Sequence, residues 1–228
     1  IPTAAIDVDG DGADDLLADS ENWYGVISVQ DNRDITPAMV ITASVPGHWG
    51  AYATPIATKL TKDGPLRVFF SQAFGLTLLT SLEGKPIWHY GLTRDTTHSS
   101  HPGVGDLDGD GKLEFITAQK DGKLICYGAD ALAKKCPGCP ANEALREANH
   151  SAKIRWTFSL KAPVSDLITS DLDGNGKVEA LCGAGDGRLY ALKERKGQCM
   201  ILWSVDLGRA VGSPILADLN GDGKAEII

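Results

Sequence analysis

Asp106-Leu-Asp-Gly-Asp-Gly-Lys-Leu-Glu114 is the most informative stretch of this 228-residue chain. It sets acids at its positions 1, 3, 5 and 9, glycines at 4 and 6, and the apolar pair Phe115-Ile116 directly after. The pattern returns as Asp7-Val-Asp-Gly-Asp-Gly-Ala-Asp-Asp15, Asp171-Leu-Asp-Gly-Asn-Gly-Lys-Val-Glu179 and Asp218-Leu-Asn-Gly-Asp-Gly-Lys-Ala-Glu226. A degenerate copy spans Thr54 to Phe69 and aligns without gaps on Ser213 to Ile228, with Lys59 in place of Asp218 and Arg67 in place of Glu226. The copies start at 7, 59, 106, 171 and 218, in steps of 52, 47, 65 and 47. Self-similarity at such a period marks a repeat architecture.

Other features keep the same beat. A glycine turn followed by apolar residues recurs at Tyr24-Gly25-Val26, Phe74-Gly75-Leu76, Asp121-Gly122-Lys123-Leu124 and Asp186-Gly187-Arg188-Leu189. A tryptophan strand recurs around Trp88, Trp156 and Trp203. Each unit thus reads as four short strands. Strand A enters the acidic turn, B leaves it, C follows the glycine turn, and D carries the tryptophan. Four antiparallel strands in a unit of about 40–50 residues predict an all-β chain built of β-propeller blades. The expected blades are 1–46, 47–95, 96–161 and 162–208, with a half blade at 209–228, all in one propeller domain. The long step holds an insertion at 134–150, in which Asn142 to Asn149 has the pattern of a short helix. About four and a half blades do not close a ring, so the expectation is a parent ring of about seven or eight, completed by further chain or by a partner chain.

Composition narrows the function classes. The chain is 43% hydrophobic and carries 30 acids against 22 lysines and arginines, for a formal charge of −8. That apolar share excludes a disordered chain. No apolar run approaches the roughly 18 residues of a membrane helix, so no membrane insertion is expected. The acidic balance, without basic clusters, argues against nucleic acid as a partner. The chain begins Ile1-Pro2 with no leader pattern, which reads as a processed chain or part of a longer one.

The acidic turns point to metal. Acids at alternate positions of a glycine-rich turn set several oxygens around one point, and hard oxygen donors in that number suit Ca²⁺. The expected ligands are Asp7, Asp9, Asp11, Ala13 and Asp15; Asp106, Asp108, Asp110, Lys112 and Glu114; Asp171, Asp173, Asn175, Lys177 and Glu179; and Asp218, Asn220, Asp222, Lys224 and Glu226. Ala13, Lys112, Lys177 and Lys224 would contribute backbone carbonyls. Four turns imply about four Ca²⁺ ions. An EF-hand is excluded, because its loop needs an acid at position 12, where Ala18, Thr117 and Cys182 stand here.

These turns resemble the FG-GAP/VCBS repeats of calcium-binding β-propellers, including those of integrin α-subunit heads. The C and D strands, with Asp121 to Gly128 and Asp186 to Lys193, are also similar to PQQ-like quinoprotein propeller repeats. The resemblance implies a structural ion that pins each A–B hairpin and relieves carboxylate repulsion. In the degenerate copy, Lys59 and Arg67 supply positive charge instead.

The remaining candidates lie elsewhere. Cys136-Pro-Gly-Cys139 reads as a local disulfide if the protein is exported. Cys126, Cys182 and Cys199 fall on or beside apolar strands and read as buried thiols. In a propeller the D–A and B–C loops share the face opposite the A–B turns. That face collects Trp23, Tyr24, His48, Trp49, Tyr52, Arg94, His98 and His101, a set suited to a protein or carbohydrate ligand. No nucleophile elbow, P-loop or dinucleotide fingerprint occurs. The resulting expectation is an extracellular or periplasmic calcium-binding propeller, secreted or at the cell surface, acting as a non-catalytic binding or adhesion module. The alternatives are the propeller part of a quinoprotein-like dehydrogenase or polysaccharide lyase, and a structural subunit of a larger surface or redox complex.

Overall fold

The computed structural model describes residues 2–7, 12, 14–20, 23–27, 43–44, 56–71, 76–82, 86–91, 100–132, 151–222 and 224–228. Among them there is no helix, and the regular structure is all β. The described residues fall into two compact units, Ile1–Thr97 with Asp130–Ala152, and His98–Ala129 with Lys153–Ile228.

In the first unit, β1 (Pro2–Ile6), β2 (Asp15–Ser20), β3 (Trp23–Ile27) and β4 (Ala43–Ser44) form a sheet whose spatial order is the chain order. Every neighbouring pair is antiparallel. The second set is β5 (Ile56–Lys59), β6 (Leu66–Ser71), β7 (Leu76–Ser81) and β8 (Pro86–Gly91), again antiparallel in chain order. Its core is Val68, Phe69, Leu78, Leu79 and Trp88, all fully buried. The Phe69 ring meets Trp88 edge-on with centroids 5.9 Å apart, a preferred aromatic geometry. Ser151 pairs in parallel with His89.

The second unit holds β9 (Gly103–Gly105), β10 (Glu114–Ala118) and most of β11 (Lys123–Leu132) and β12 (Ser151–Ser159). It also holds β13 (Ile168–Ser170), β14 (Glu179–Gly183), β15 (Arg188–Arg195) and β16 (Gln198–Asp206), then β17 (Leu216–Ala217) paired with β18 (Glu226–Ile227). The strands leaving the third and fourth acidic turns, β10 and β14, are buried along their whole length. A strand covered on both faces loses the apolar/polar alternation, which explains the continuous runs Phe-Ile-Thr-Ala and Ala-Leu-Cys-Gly. Between the two sheets lies one apolar core, with Leu107, Ile116, Leu124, Cys126 and Trp156 from one side and Leu167, Ala180, Cys182, Tyr190 and Leu192 from the other. Sheet packed on sheet through shared apolar faces is the blade-to-blade contact of a propeller. The chain is a partial β-propeller of four-stranded antiparallel blades.

The four-strand expectation holds in detail. Trp88, Trp156 and Trp203 lie on β8, β12 and β16, the fourth strand in chain order of β5–β8, β9–β12 and β13–β16. The first sheet closes with β4, two residues long and without a tryptophan, which is why the sequence did not reveal it. The insertion at 134–150, its proposed helix and the Cys136–Cys139 disulfide lie outside the described residues.

Candidate functional site: acidic turns and the opposite rim

The three turns of the second unit share one hydrogen-bonding scheme. The first aspartate gathers backbone N–H groups. Asp106 Oδ1 accepts from Gly109 at 2.7 Å and Asp110 at 3.1 Å, and its Oδ2 accepts from Gly111 at 2.9 Å. Asp171 accepts from Asn175 at 3.0 Å and Gly176 at 2.8 Å, and Asp218 accepts from Gly221 at 2.7 Å and Asp222 at 3.2 Å. In the first unit, Gly12 N–H donates to Asp7 at 3.1 Å. Positions 3 and 5 each accept from the N–H two residues on. Asp108, Asp173 and Asn220 fill the first role, and Asp110, Asn175 and Asp222 the second. These are Asx turns, which satisfy backbone that no strand ladder can reach. Gly109 and Gly111 have φ of 79° and 82°, the left-handed region that glycine enters without a Cβ clash.

Position 9 closes the hairpin. One oxygen of Glu114, Glu179 and Glu226 accepts from the backbone N–H of position 2, at Leu107 (3.0 Å), Leu172 (2.9 Å) and Leu219 (2.8 Å). The other oxygen differs from copy to copy. Glu114 Oε1 takes Arg155 at 3.3 Å and Glu226 Oε1 takes Asn220 at 3.0 Å. Among the described residues, no ion pair reaches Asp171, Asp173 or Glu179.

Carboxylate oxygens converge in two of these turns. Asp106, Asp108 and Glu114 bring theirs within 4.8 Å of one another, and so do Asp171, Asp173 and Glu179. An all-oxygen set with a carboxylate buried at its base suits a hard divalent cation. Burial pushes the Glu114 carboxyl up to about 7, against the lowering effects of the Leu107 N–H and the Arg155 guanidinium. Burial also raises Glu179. A cation at either base would offset that cost of ionisation.

Arg155 is the residue that sequence reasoning missed. It sits on β12, with Asp108, Glu114 and Glu194 around its guanidinium. Its own burial is outweighed by Glu114, Glu194 and Asp108, which raise its pKa. Glu194, on β15, accepts from the Trp156 indole N–H at 2.7 Å. Lys177 Nζ donates to the Asp108 carbonyl at 2.6 Å, so position 7 of one turn reaches into the turn before it. One signal was visible in the sequence, since Arg155-Trp156 is charged where Leu202-Trp203 is apolar.

The opposite rim has its own order. His101, Asp166 and Ser213 each lie five residues before the first aspartate of an acidic turn. Asp166 joins them. It accepts from the His101 backbone N–H at 2.7 Å and from Ser213 Oγ at 2.7 Å, and His101 Nδ1 lies 2.8 Å from it. Burial alone would raise the Asp166 pKa, but the His101 N–H, the Ser213 hydroxyl and the His101 ring together lower it. Next to His101 in the chain, the buried Ser100 Oγ finds no partner among the described residues. Trp23 and Tyr24 are the first two residues of β3, paired with Ser44 and Ala43. Asp15 pairs with Ile6. Asp9, Asp11, Ala13, His48, Trp49, Tyr52, Arg94 and His98 lie outside the described residues.

The three remaining thiols are free, with Cys126 and Cys182 buried and Cys199 half-buried. Burial raises all three, Cys182 and Cys199 to about 12. They stay protonated packing groups. No helix among the described residues is long and apolar enough to cross a membrane.

No protein-family model matches the chain, and no curated protein matches it in sequence. Solved structures do match. One is BBS1N in complex with ARL6DN, soaked with lead, at 13% identity and TM-score 0.55, covering 100% of this chain and 60% of that one. Another is BamB from Moraxella catarrhalis, at 15% identity and TM-score 0.55, covering 96% of this chain and 56% of that one. This chain therefore spans less than two thirds of either. At these identities the likeness speaks to fold alone, and with the sheet order it establishes a partial β-propeller.

Proposed function

We propose that this chain is a calcium-binding propeller segment of FG-GAP/VCBS type, exported, and non-catalytic. Ca²⁺ in the acidic turns holds the A–B hairpins, and the face opposite binds a protein or carbohydrate partner in an adhesion or recognition role. The blade boundaries expected from the repeat belong to this proposal. The observation that carries it is the convergence of three carboxylates at equivalent positions of two successive turns, each with a buried glutamate at its base. The all-oxygen donor set favours Ca²⁺ over softer ions. BBS1N, solved in complex with ARL6DN, is a structural neighbour seen with a protein partner.

Two measurements test this. Chelation with EDTA is expected to lower the melting temperature by several degrees, and added Ca²⁺ to restore it. An unchanged melt removes the structural ion. Alanine at His48, Trp49 and His101 is expected to abolish partner binding with little loss of stability. Retained binding moves the partner site off this face.

A second reading is a structural subunit of a larger assembly. Met200, Ile201, Val205, Leu207, Ile215, Leu219 and Ile228 are large apolar side chains left exposed on and after β16. Burial of such a surface in a complex is the physical reason to keep this reading.

A further inference from the structure

The third turn, Asp106 to Glu114, already contains a cation. The Arg155 guanidinium pairs with Asp108 and lies 3.3 Å from both Glu114 and Glu194. Asp108 and Glu114 are two of the three carboxylates that converge there. The path is built into the sheet. Arg155 on β12 must cross β11 to reach Glu114 on β10. It does so over Gly128, where an added Cβ would lie 3.6 Å from both Arg155 Cγ and Cδ. A longer side chain at 128 would block that crossing.

The fourth turn, Asp171 to Glu179, has the same backbone scheme without this cation. In repeat register Lys193 stands at the place of Gly128, and Leu202 at the place of Arg155. Lys193 is close enough to lower Glu179 electrostatically, but it makes no ion pair with it.

We propose that Arg155 is the resident counter-cation of the third turn, and that a divalent cation enters this turn only by exchanging with it. The fourth turn then fills at a lower metal concentration than the third. The inference rests on the reading of the turns as cation sites. A dication brought beside a fixed guanidinium is repelled, and the carboxylates it needs are already engaged. On exchange the guanidinium leaves Asp108 and Glu114 and keeps Glu194. Glu194 also accepts from the buried Trp156 indole, so occupancy of the turn is felt at the blade-to-blade core.

Hydrogen exchange read peptide by peptide during a Ca²⁺ titration gives each turn its own midpoint. In the unmodified chain, peptides covering 103–116 are expected to gain protection at about tenfold or more higher Ca²⁺ than those covering 168–181. Arg155→Leu should bring the third-turn midpoint down to that of the fourth and leave the fourth unchanged. A third turn that fills first, or together with the fourth, in the unmodified chain overturns the inference without touching the calcium reading. So does a third-turn midpoint unmoved by Arg155→Leu. No response at either turn overturns both. The ordering in the unmodified chain decides the matter even if the variant fails to fold.

Discussion

The third and fourth acidic turns have nearly the same sequence and the same backbone, yet they differ in charge balance. Asp106-Leu-Asp-Gly-Asp-Gly-Lys-Leu-Glu114 and Asp171-Leu-Asp-Gly-Asn-Gly-Lys-Val-Glu179 close with equivalent Asx turns and the same glutamate-to-backbone bond. One has an arginine and a lysine directed into it from other strands and turns. The other has no ion pair among the described residues. A local motif therefore sets where oxygens go, while more distant residues decide how much negative charge is left for an ion. Counting carboxylates in the motif misses the cationic side chains that reach one turn and not the other.

The comparison can be broken first at the tryptophans. Trp156 is 7% exposed and hydrogen-bonded to Glu194, whereas Trp203 is only half-buried. Trp156→Ala is expected to cost about 3–5 kcal/mol, and Trp203→Ala clearly less, by chemical denaturation. Equal costs would mean that the third and fourth sheets are anchored alike.

The next effect belongs to the guanidinium. Glu114 and Glu194 are 1% and 2% exposed and lose their counter-charge in Arg155→Leu. Breaking a fully buried pair costs about 3–5 kcal/mol; Arg155 keeps partial solvent contact, so about 2–3 is expected in EDTA. Added Ca²⁺ should shrink that deficit, because the ion takes over the same carboxylates. A deficit unaffected by Ca²⁺ would make Arg155 a purely structural tie.

The smallest effect lies on the opposite rim and depends on pH. Asp166 titrates below its ordinary 3.8 in the folded protein. A depressed carboxyl contributes stability that is fully present above the unfolded pKa and is lost as pH falls through the folded one. Asp166→Asn should therefore weaken the protein at neutral pH and differ less from the unmodified chain below about pH 4. A difference that persists undiminished in acid would assign the loss to packing rather than to charge.

Most of the architecture was legible because a propeller writes its period into the chain. The acidic turns, glycine turns and tryptophan strands all recur, and the observed strands follow them in order. The strand that escaped, β4, is short and carries no tryptophan, so nothing local announced it. The carboxylates of the turns were legible for the same reason. What was not legible was every contact made across strands. Arg155 lies 47 residues from Asp108, and nothing in either neighbourhood names the other. The rim chain of His101, Asp166 and Ser213 shows a subtler case. Their common repeat position was readable, but three different residue types gave no sign that they hydrogen-bond to one another.

The sequence by itself determined the blade unit and the position of each carboxylate within its turn. Both follow from short-range rules: a strand period of two, glycine at positive φ, and an aspartate that can reach the next few N–H groups. Only the tertiary structure decided which turn has a guanidinium paired with its carboxylates. That depends on Gly128 leaving a path across β11 and on Glu194 of another sheet drawing the same guanidinium. Electrostatic balance is set by distance in space, and the chain brings those charges together only after the sheets have packed.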